Sequence, residues 1–128
     1  MRTFVEHIEP AFKDARGSII DVFTGQTHHT GLITFTKGAV RANHYHKRQT
    51  QYTYILSGTV ELATRDVRTP DAPVQTFTLE PGDLALIPPF DIHAYRALSD
   101  ASMLCLTDVP RSGTGYEDDT FRVEPLLV

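Results

Sequence analysis

Polar and apolar residues alternate with a period of two along much of the chain, which is typical of β-strands with one buried face. The alternation is clearest over 59–66, a segment that we expect to pair with the strand at 52–56. No part of the chain has the period of a helix. Turn residues recur between short apolar runs, which favours an all-β sandwich or barrel. Strands are predicted at 3–8, 18–23, 30–36, 52–56, 59–66, 74–79, 84–87, 91–98, 102–107 and 121–123.

The turns between these strands have recognisable chemistry. Pro81 and Gly82 suit the two central positions of a type II turn, since proline fixes the first φ and glycine allows the positive second φ. The stretch 111–119 holds two glycines and three acids, and we expect a mobile loop there. A chain of 128 residues is long enough for one stable core, so we expect a single domain over 1–128.

Two histidines mark the most informative segment, which runs from Gly38 to Gly58. His44 and His46 are two residues apart, so on a strand their side chains point to the same face. Gln51 follows at an odd offset, which predicts a bend over 47–50 if it is to face the same way. The segment is therefore interpreted as a hairpin with three nitrogen or oxygen ligands at its bend.

The spacing of these residues resembles the first motif of the cupin superfamily. The motif requires glycine, two histidines, an acid and a second glycine at fixed intervals. This chain meets every interval, but a glutamine replaces the acid. The matching residues are Gly38, His44, His46, Gln51 and Gly58.

A second cupin motif follows in the expected order. Its glycine, proline and histidine correspond to Gly82, Pro88 and His93, whereas Phe90 replaces a glycine and Ala97 an asparagine. The chain is therefore identified as a member of the cupin superfamily. The resemblance implies a double-stranded β-helix, or jelly-roll barrel, in agreement with the predicted strands.

The cupin resemblance implies a metal centre formed by His44, His46, Gln51 and His93. Imidazole and amide oxygen ligands suit one divalent ion, and zinc, iron, nickel, manganese and copper all stay open. Because this ligand set is neutral, the site should favour an anionic ligand, such as a sugar acid or keto acid. The alternatives are metal-free acid and base roles for the histidines and a hydrogen-bonding role for Gln51.

A narrower resemblance implies metal-free chemistry. Arg41, His44, His46, Lys47 and Gln51 are spaced as in the nucleotide-sugar 3,4-ketoisomerases, except that Ala42 replaces their glycine. Asp14-Ala15-Arg16-Gly17 is similar to a motif of the dTDP-4-dehydrorhamnose 3,5-epimerases. In these cupins a histidine removes the proton beside a keto group, so His44 or His46 would be the catalytic base.

Tyr95 is a further catalytic candidate, because it lies two residues after His93 and should share its face. We expect Tyr52, Tyr54 and Leu56 to form an outward apolar stripe that supports a homodimer. Basic residues are candidates for the rim of the pocket, where they would attract anions; these are Arg16, Arg41, Lys47 and Arg48. The remaining histidines are interpreted as ordinary surface or hydrogen-bonded residues; these are His7, His28 and His29.

Charge and composition narrow the classes of partner. The net charge of −4 and the interspersed charges argue against nucleic acid. No apolar run is long enough to span a membrane, and the N-terminus lacks the pattern of a signal peptide. The single cysteine, Cys105, lies in an apolar strand and indicates a buried thiol. A cytoplasmic location is therefore expected.

The leading hypothesis is a metal-binding cupin of carbohydrate metabolism that acts on a small oxygen-rich anion. The alternatives are a metal-free nucleotide-sugar isomerase or epimerase, and a cupin that binds a metabolite without converting it. We favour an enzyme. The reaction type, whether isomerase, epimerase, lyase or dioxygenase, stays open because function on this scaffold depends on a few pocket residues.

Overall fold

A computed structural model describes residues 2–109 and 115–128 of the chain. Antiparallel strands dominate it, and one short helix precedes the last strand. In chain order the elements are β1 (Phe4–His7), β2 (Phe12–Asp14), β3 (Gly17–Ile19), β4 (His29–Phe35), β5 (Val40–Tyr45), β6 (Gln51–Ser57), β7 (Val60–Asp66), β8 (Gln75–Leu79), β9 (Asp83–Ile87), β10 (Asp91–Ala97), β11 (Ala101–Thr107), α1 (Gly115–Asp118) and β12 (Phe121–Arg122).

Two five-stranded sheets form the body of the molecule. One has the order β1-β9-β6-β11-β4 and the other has the order β12-β5-β10-β7-β8, while β2 and β3 form a separate hairpin. The predicted all-β jelly-roll fold is confirmed. Both sheets contribute buried side chains to one core, which includes Ile55, Met103, Leu62, Leu79, Ile87 and Tyr95.

Two predicted strand pairings are wrong. β5 pairs with β10 and β12, so the histidine segment is a crossover between sheets and not a hairpin. β7 pairs with β10 and β8, not with β6. From β4 to β7, and again from β8 to β11, each strand is followed by one in the other sheet. Local turn signals do not reveal which distant strand becomes the partner. The strand predicted at 18–23 also ends early, at Ile19.

The turn before β9 has the expected chemistry. Gly82 has a φ of +95°, and the backbone nitrogen of Asp83 donates to the carbonyl of Glu80 at 3.0 Å. A Cβ at position 82 would lie 2.7 Å from the His7 ring, so a larger residue would also require that exposed ring to move. The predicted turn is confirmed.

The predicted outward stripe on β6 is largely covered. Tyr54 is only 6% exposed, because Leu84 and Leu104 flank it on the neighbouring strands. The ring of Tyr52 packs on Phe23, with 4.3 Å between the ring centroids. Leu56 alone is widely exposed among the three. The homodimer stays a prediction, but the surface proposed for it is smaller than expected.

The expected mobile loop at 111–119 is wrong where the structure describes it. Residues 115–118 form α1, and Asp119 is only 2% exposed. The remaining residues of that prediction, 111–114, lie outside the described part of the chain. Within the described ranges, no helix is long and apolar enough to cross a membrane.

Candidate functional site at the histidine cluster

A β-bulge in β5 sets the direction of His44. His93 of β10 lies opposite His44, but the next residue, Ala94, lies opposite Ala42, so Asn43 is the extra residue. Ala42 and Asn43 have φ angles of +73° and +60°. This left-handed conformation costs a residue other than glycine about 1–2 kcal/mol. Such strain commonly lies beside functional sites, where a bulge redirects a side chain.

The three predicted histidines meet inside the barrel. One possible ligand atom from each of His44, His46 and His93 can be chosen so that all lie within 4.8 Å of one another. The side chains are 9%, 2% and 0% exposed, respectively. His44 and His93 are contributed by adjacent strands, and His46 follows the end of β5. The sequence prediction that they share one face therefore agrees with the geometry, although their ligand role stays a proposal.

Backbone carbonyls fix the tautomers of two of these histidines. Nδ1 of His46 donates to the carbonyl of Asp119 at 2.8 Å, and Nδ1 of His93 donates to the carbonyl of Asp91 at 3.1 Å. In both rings Nε2 therefore carries the lone pair. Nε2 of His93 is buried and has no hydrogen-bond partner among the described residues. Such anchoring through the other ring nitrogen is typical of metal-binding histidines.

Burial keeps the histidine cluster uncharged. Loss of solvent lowers the pKa of His44 to about 4, and the nearby His46 and Arg122 contribute to this shift. Burial also lowers the pKa of His46, against the opposing effect of Asp119. The pKa of His93 lies well below its usual value, mainly through burial. All three imidazoles are therefore neutral at pH 7 and can accept a proton or a metal ion.

The donor set has the chemistry of a divalent-ion site, but its spacing is wider than an ion requires. Metal–nitrogen bonds of about 2.0–2.1 Å place two tetrahedral ligand atoms about 3.4 Å apart. The imidazoles, whose ligand atoms lie within 4.8 Å of one another, would have to move closer together to share one ion. Gln51 is 5% exposed and close to the cluster in the fold, but its Oε1 accepts from Gln49 Nε2 at 3.2 Å. Because an amide oxygen has two lone pairs, its predicted role as fourth ligand does not require that hydrogen bond to break.

Asp119 is a structural element of the site that sequence reasoning missed. Its carboxylate accepts the backbone N–H groups of Lys47, Arg48 and Gln49 at 2.9–3.2 Å. Its carbonyl accepts the ring N–H of His46. One residue thus closes the bend after β5 and orients a histidine. No sequence pattern connects it with a segment about 70 positions earlier.

A cavity of about 160 Å³ opens beside the cluster. His44 contributes to its wall, whereas His46 and His93 are not among its lining residues. Tyr95, which is 2% exposed, faces the same cavity. The described lining residues are His29, Ile33, Arg41, Ala42, His44, Gln51, Tyr95, Met103, Cys105 and Thr107.

Of the four basic residues predicted at the rim of the pocket, Arg41 alone lines the cavity. Arg41 lines the cavity and lies 5.3 Å from the centroid of the Phe35 ring, so its predicted place at the rim agrees with the geometry. Arg16 instead pairs with Asp14 on the separate hairpin. Lys47 lies over the Phe121 ring, and Arg48 faces Asp119.

His29 lies in the cavity wall, although the sequence predicts only an ordinary surface or hydrogen-bonded histidine there.

Residues 31–109, more than half of the chain, match the family model of the cupin domain. The chain therefore belongs to the cupin family. Its structural neighbours include 3,4-ketoisomerases and a dTDP-4-dehydrorhamnose 3,5-epimerase, which are the families of the narrower sequence resemblance. A search of curated proteins found no significant match.

Three solved structures illustrate the likeness. A 3,4-ketoisomerase from Helicobacter canadensis is 21% identical, with a TM-score of 0.80 and coverage of 96% of this chain and 92% of that one. The dTDP-4-dehydrorhamnose 3,5-epimerase from Sulfolobus tokodaii is 20% identical, with a TM-score of 0.77 and coverages of 95% and 77%. A mutant 3,4-ketoisomerase from Thermoanaerobacterium thermosaccharolyticum, in complex with TDP-4-keto-6-deoxyglucose, is 18% identical, with a TM-score of 0.78 and coverages of 95% and 88%. At these identities the likeness establishes a shared fold.

Proposed function

We propose that this cupin is an isomerase or epimerase that moves a proton beside the keto group of a nucleotide-linked sugar. The observation that carries the proposal is one cavity lined by His44, Tyr95 and Arg41. These side chains offer a base, an acid and an anion-binding cation. The neighbours of the same fold, which include ketoisomerases and an epimerase, favour this function over the metal-dependent hypothesis.

The proposed chemical step uses these groups, the substrate and, for epimerisation, water. His44 accepts the proton from the carbon beside the keto group, and the C–H electron pair forms a carbon–carbon double bond. The carbonyl π pair moves to oxygen, which takes the phenol proton of Tyr95. In isomerisation, the imidazolium of His44 gives its proton to the former carbonyl carbon, and the hydroxyl on the deprotonated carbon gives its proton to the Tyr95 phenolate and becomes the new carbonyl. In epimerisation, water protonates the opposite face of the same carbon, the enol O–H proton returns to Tyr95, and His44 releases its proton to water. No external oxidant or reductant is required.

The electrostatics of the cavity suit this step. His44 is neutral at pH 7 because its pKa is about 4, so its lone pair is available. A base with so low a pKa is weak, but the negative charge of a bound nucleotide sugar would raise that pKa. Arg41 is the cation in the cavity wall that would hold such an anion. Substrate binding thus increases the basicity of His44, which is the base that the reaction requires.

Binding of TDP tests the proposed substrate class. We expect calorimetry to detect TDP binding to the purified protein and about tenfold weaker binding to Arg41→Met. Arg16→Met is the matched control, because Arg16 lies on the separate hairpin and should not affect binding. Absence of binding by both TDP and TDP-4-keto-6-deoxyglucose would exclude a nucleotide sugar as substrate. Binding without conversion would instead indicate a metabolite-binding cupin.

A divalent metal centre is the second candidate, and the anchored tautomers of His46 and His93 favour it. His44, His46 and His93 would hold the ion, with Gln51 as the fourth ligand. The ion would supply Lewis-acid polarisation of a substrate oxygen. Elemental analysis of the protein purified without chelators tests this candidate. Stoichiometric metal that disappears in His46→Ala would support it, and metal-free protein that converts a nucleotide sugar would exclude it.

A further inference from the structure

A buried chain of side-chain hydrogen bonds ends on the oxygen of Tyr95. Nε2 of Gln49 donates to Oε1 of Gln51 at 3.2 Å, and Nε2 of Gln51 donates to the Tyr95 oxygen at 2.8 Å. The hydroxyl of Thr53 lies 2.7 Å from the same oxygen. All four residues are at most 5% exposed. Hydrogen bonds in such surroundings fix a side chain more firmly than they do in water.

These hydrogen bonds are donated in one direction, from Gln49 to Gln51 and from Gln51 to Tyr95. The carbonyl of Gln51 already accepts from Gln49, so its NH₂ group is the part that faces Tyr95. Gln51 and Thr53 are two residues apart on β6, so both side chains point into the barrel from one strand. Tyr95 reaches them from β10 of the opposite sheet. The phenol oxygen thus meets one amide N–H donor and one hydroxyl that can also donate.

We propose that Gln51 and Thr53 are positioning residues that both donate hydrogen bonds to the Tyr95 oxygen, so that Tyr95 gives its own proton to a ligand in the cavity. A phenol oxygen that accepts twice directs its proton to a third group. The same two donors stabilise the negative charge that remains after the proton leaves. The use of this proton in catalysis rests on the proposed function, but the direction of the hydrogen bonds does not.

In the proton-transfer step, the phenol O–H bond breaks and its proton bonds to the carbonyl oxygen of the substrate. The O–H electron pair stays on Tyr95 as phenolate, while His44 becomes imidazolium. Both groups are restored when a proton returns to carbon in the product and the phenolate recovers a proton from the enol intermediate. This inference gives Gln51 a task other than metal binding, since its amide orients the acid of the pocket.

Raman spectroscopy tests the hydrogen bonds without any assay of activity. The intensity ratio of the tyrosine Fermi doublet differs between a phenol that accepts and one that donates. The wild-type spectrum minus that of Tyr95→Phe isolates Tyr95 from the other four tyrosines. We expect the ratio of an acceptor, shifted toward that of a donor in Thr53→Val and in Gln51→Leu. Thr53→Ser should restore the wild-type ratio. A donor-type ratio for Tyr95 in the wild type would overturn the proposal.

Kinetics then test the consequence for catalysis. With a nucleotide keto sugar as substrate, we expect Thr53→Val and Gln51→Leu to lower kcat about tenfold with little change in KM, and Thr53→Ser to recover most of kcat. Unchanged kcat in both variants would overturn the positioning role of Gln51 and Thr53. If the wild type converts no nucleotide sugar, the proposed function fails while the Raman result still decides the hydrogen-bond assignment.

Gln51→Glu separates the positioning role from metal ligation. The substitution replaces the N–H donor by a carboxylate, which is the better metal ligand. Under the positioning role, kcat falls and the metal content stays unchanged. Higher metal content together with retained or increased activity would overturn the proposal for Gln51.

Discussion

Replacement of Asp119 should destabilise the fold far more than its place in an acidic tail suggests. The carboxylate accepts three backbone N–H groups from Lys47, Arg48 and Gln49. A hydrogen bond to a charged group contributes about 1.5–3 kcal/mol, and less where water can replace it. Arg48 is largely exposed, whereas Gln49 is fully buried. We therefore expect Asp119→Ala to lower the free energy of unfolding by about 3–5 kcal/mol.

The loss of stability should depend on how many acceptor oxygens and how much charge the residue at position 119 keeps. Asp119→Asn keeps one acceptor oxygen but no charge, so we expect a loss of about 1–2 kcal/mol. Urea unfolding followed by circular dichroism measures both values. For a chain of this size, the alanine variant should melt about 10 °C or more below the wild type.

Asp118 offers a matched control for this measurement. It precedes Asp119 directly and its side chain is exposed, so Asp118→Ala should change the stability by less than about 0.5 kcal/mol. Equal and small effects of the two alanine variants would refute the reasoning. They would mean that water satisfies the N–H groups of the bend as well as the carboxylate does.

Three further predictions concern the stability of the fold around the site. The free energy of unfolding should decrease as the pH falls from about 6.5 to about 4. Over this range His44 is protonated in the unfolded chain but stays neutral in the fold, where its pKa is about 4. This difference in pKa implies a loss of up to about 3 kcal/mol, which urea unfolding measures. Ala42→Gly should raise the melting temperature by relieving a φ of +73°, a gain of about 0.5–1 kcal/mol, whereas Ala63→Gly on regular β7 should lower it. Asp91→Asn should cost about 2–3 kcal/mol in urea unfolding, because its buried carboxylate accepts both the backbone N–H and the hydroxyl of Thr3.

Local sequence signals predicted most of the strands and much of the site, although they missed β2 and extended the strand at 18–23 beyond Ile19. The spacing of His44 and His46, together with the second motif, predicted that His93 would join them. Parity along β10 likewise placed Tyr95 on the face of His93, and both are buried. The odd offset of Gln51 predicted a bend over 47–50, and the chain indeed leaves β5 and enters the other sheet there. The shared face of His44 and His46 and the direction of Tyr95 followed from the period of two along a strand, whereas the meeting of His93 with the other two histidines was implied by the cupin resemblance.

Long-range pairing could not be predicted in the same way. β5 and β6 are neighbours in sequence but belong to different sheets, and no local pattern encodes that choice. Asp119 acts through a contact with residues about 70 positions away. Its neighbours in an acidic segment gave no signal that its side chain is buried. The direction of the hydrogen bonds at Tyr95 also depends on tertiary contacts, since Gln49, Gln51 and Thr53 meet it only in the folded barrel.

Isotope exchange tests the proposed catalytic role of His44 most directly. The purified protein is incubated with TDP-4-keto-6-deoxyglucose in deuterium oxide, and the sugar is examined by mass spectrometry and NMR. We predict that one deuterium enters at the carbon beside the keto group, and that His44→Asn slows this at least a hundredfold. No deuterium with the wild type, or equal incorporation by the His44→Asn variant, would contradict the account.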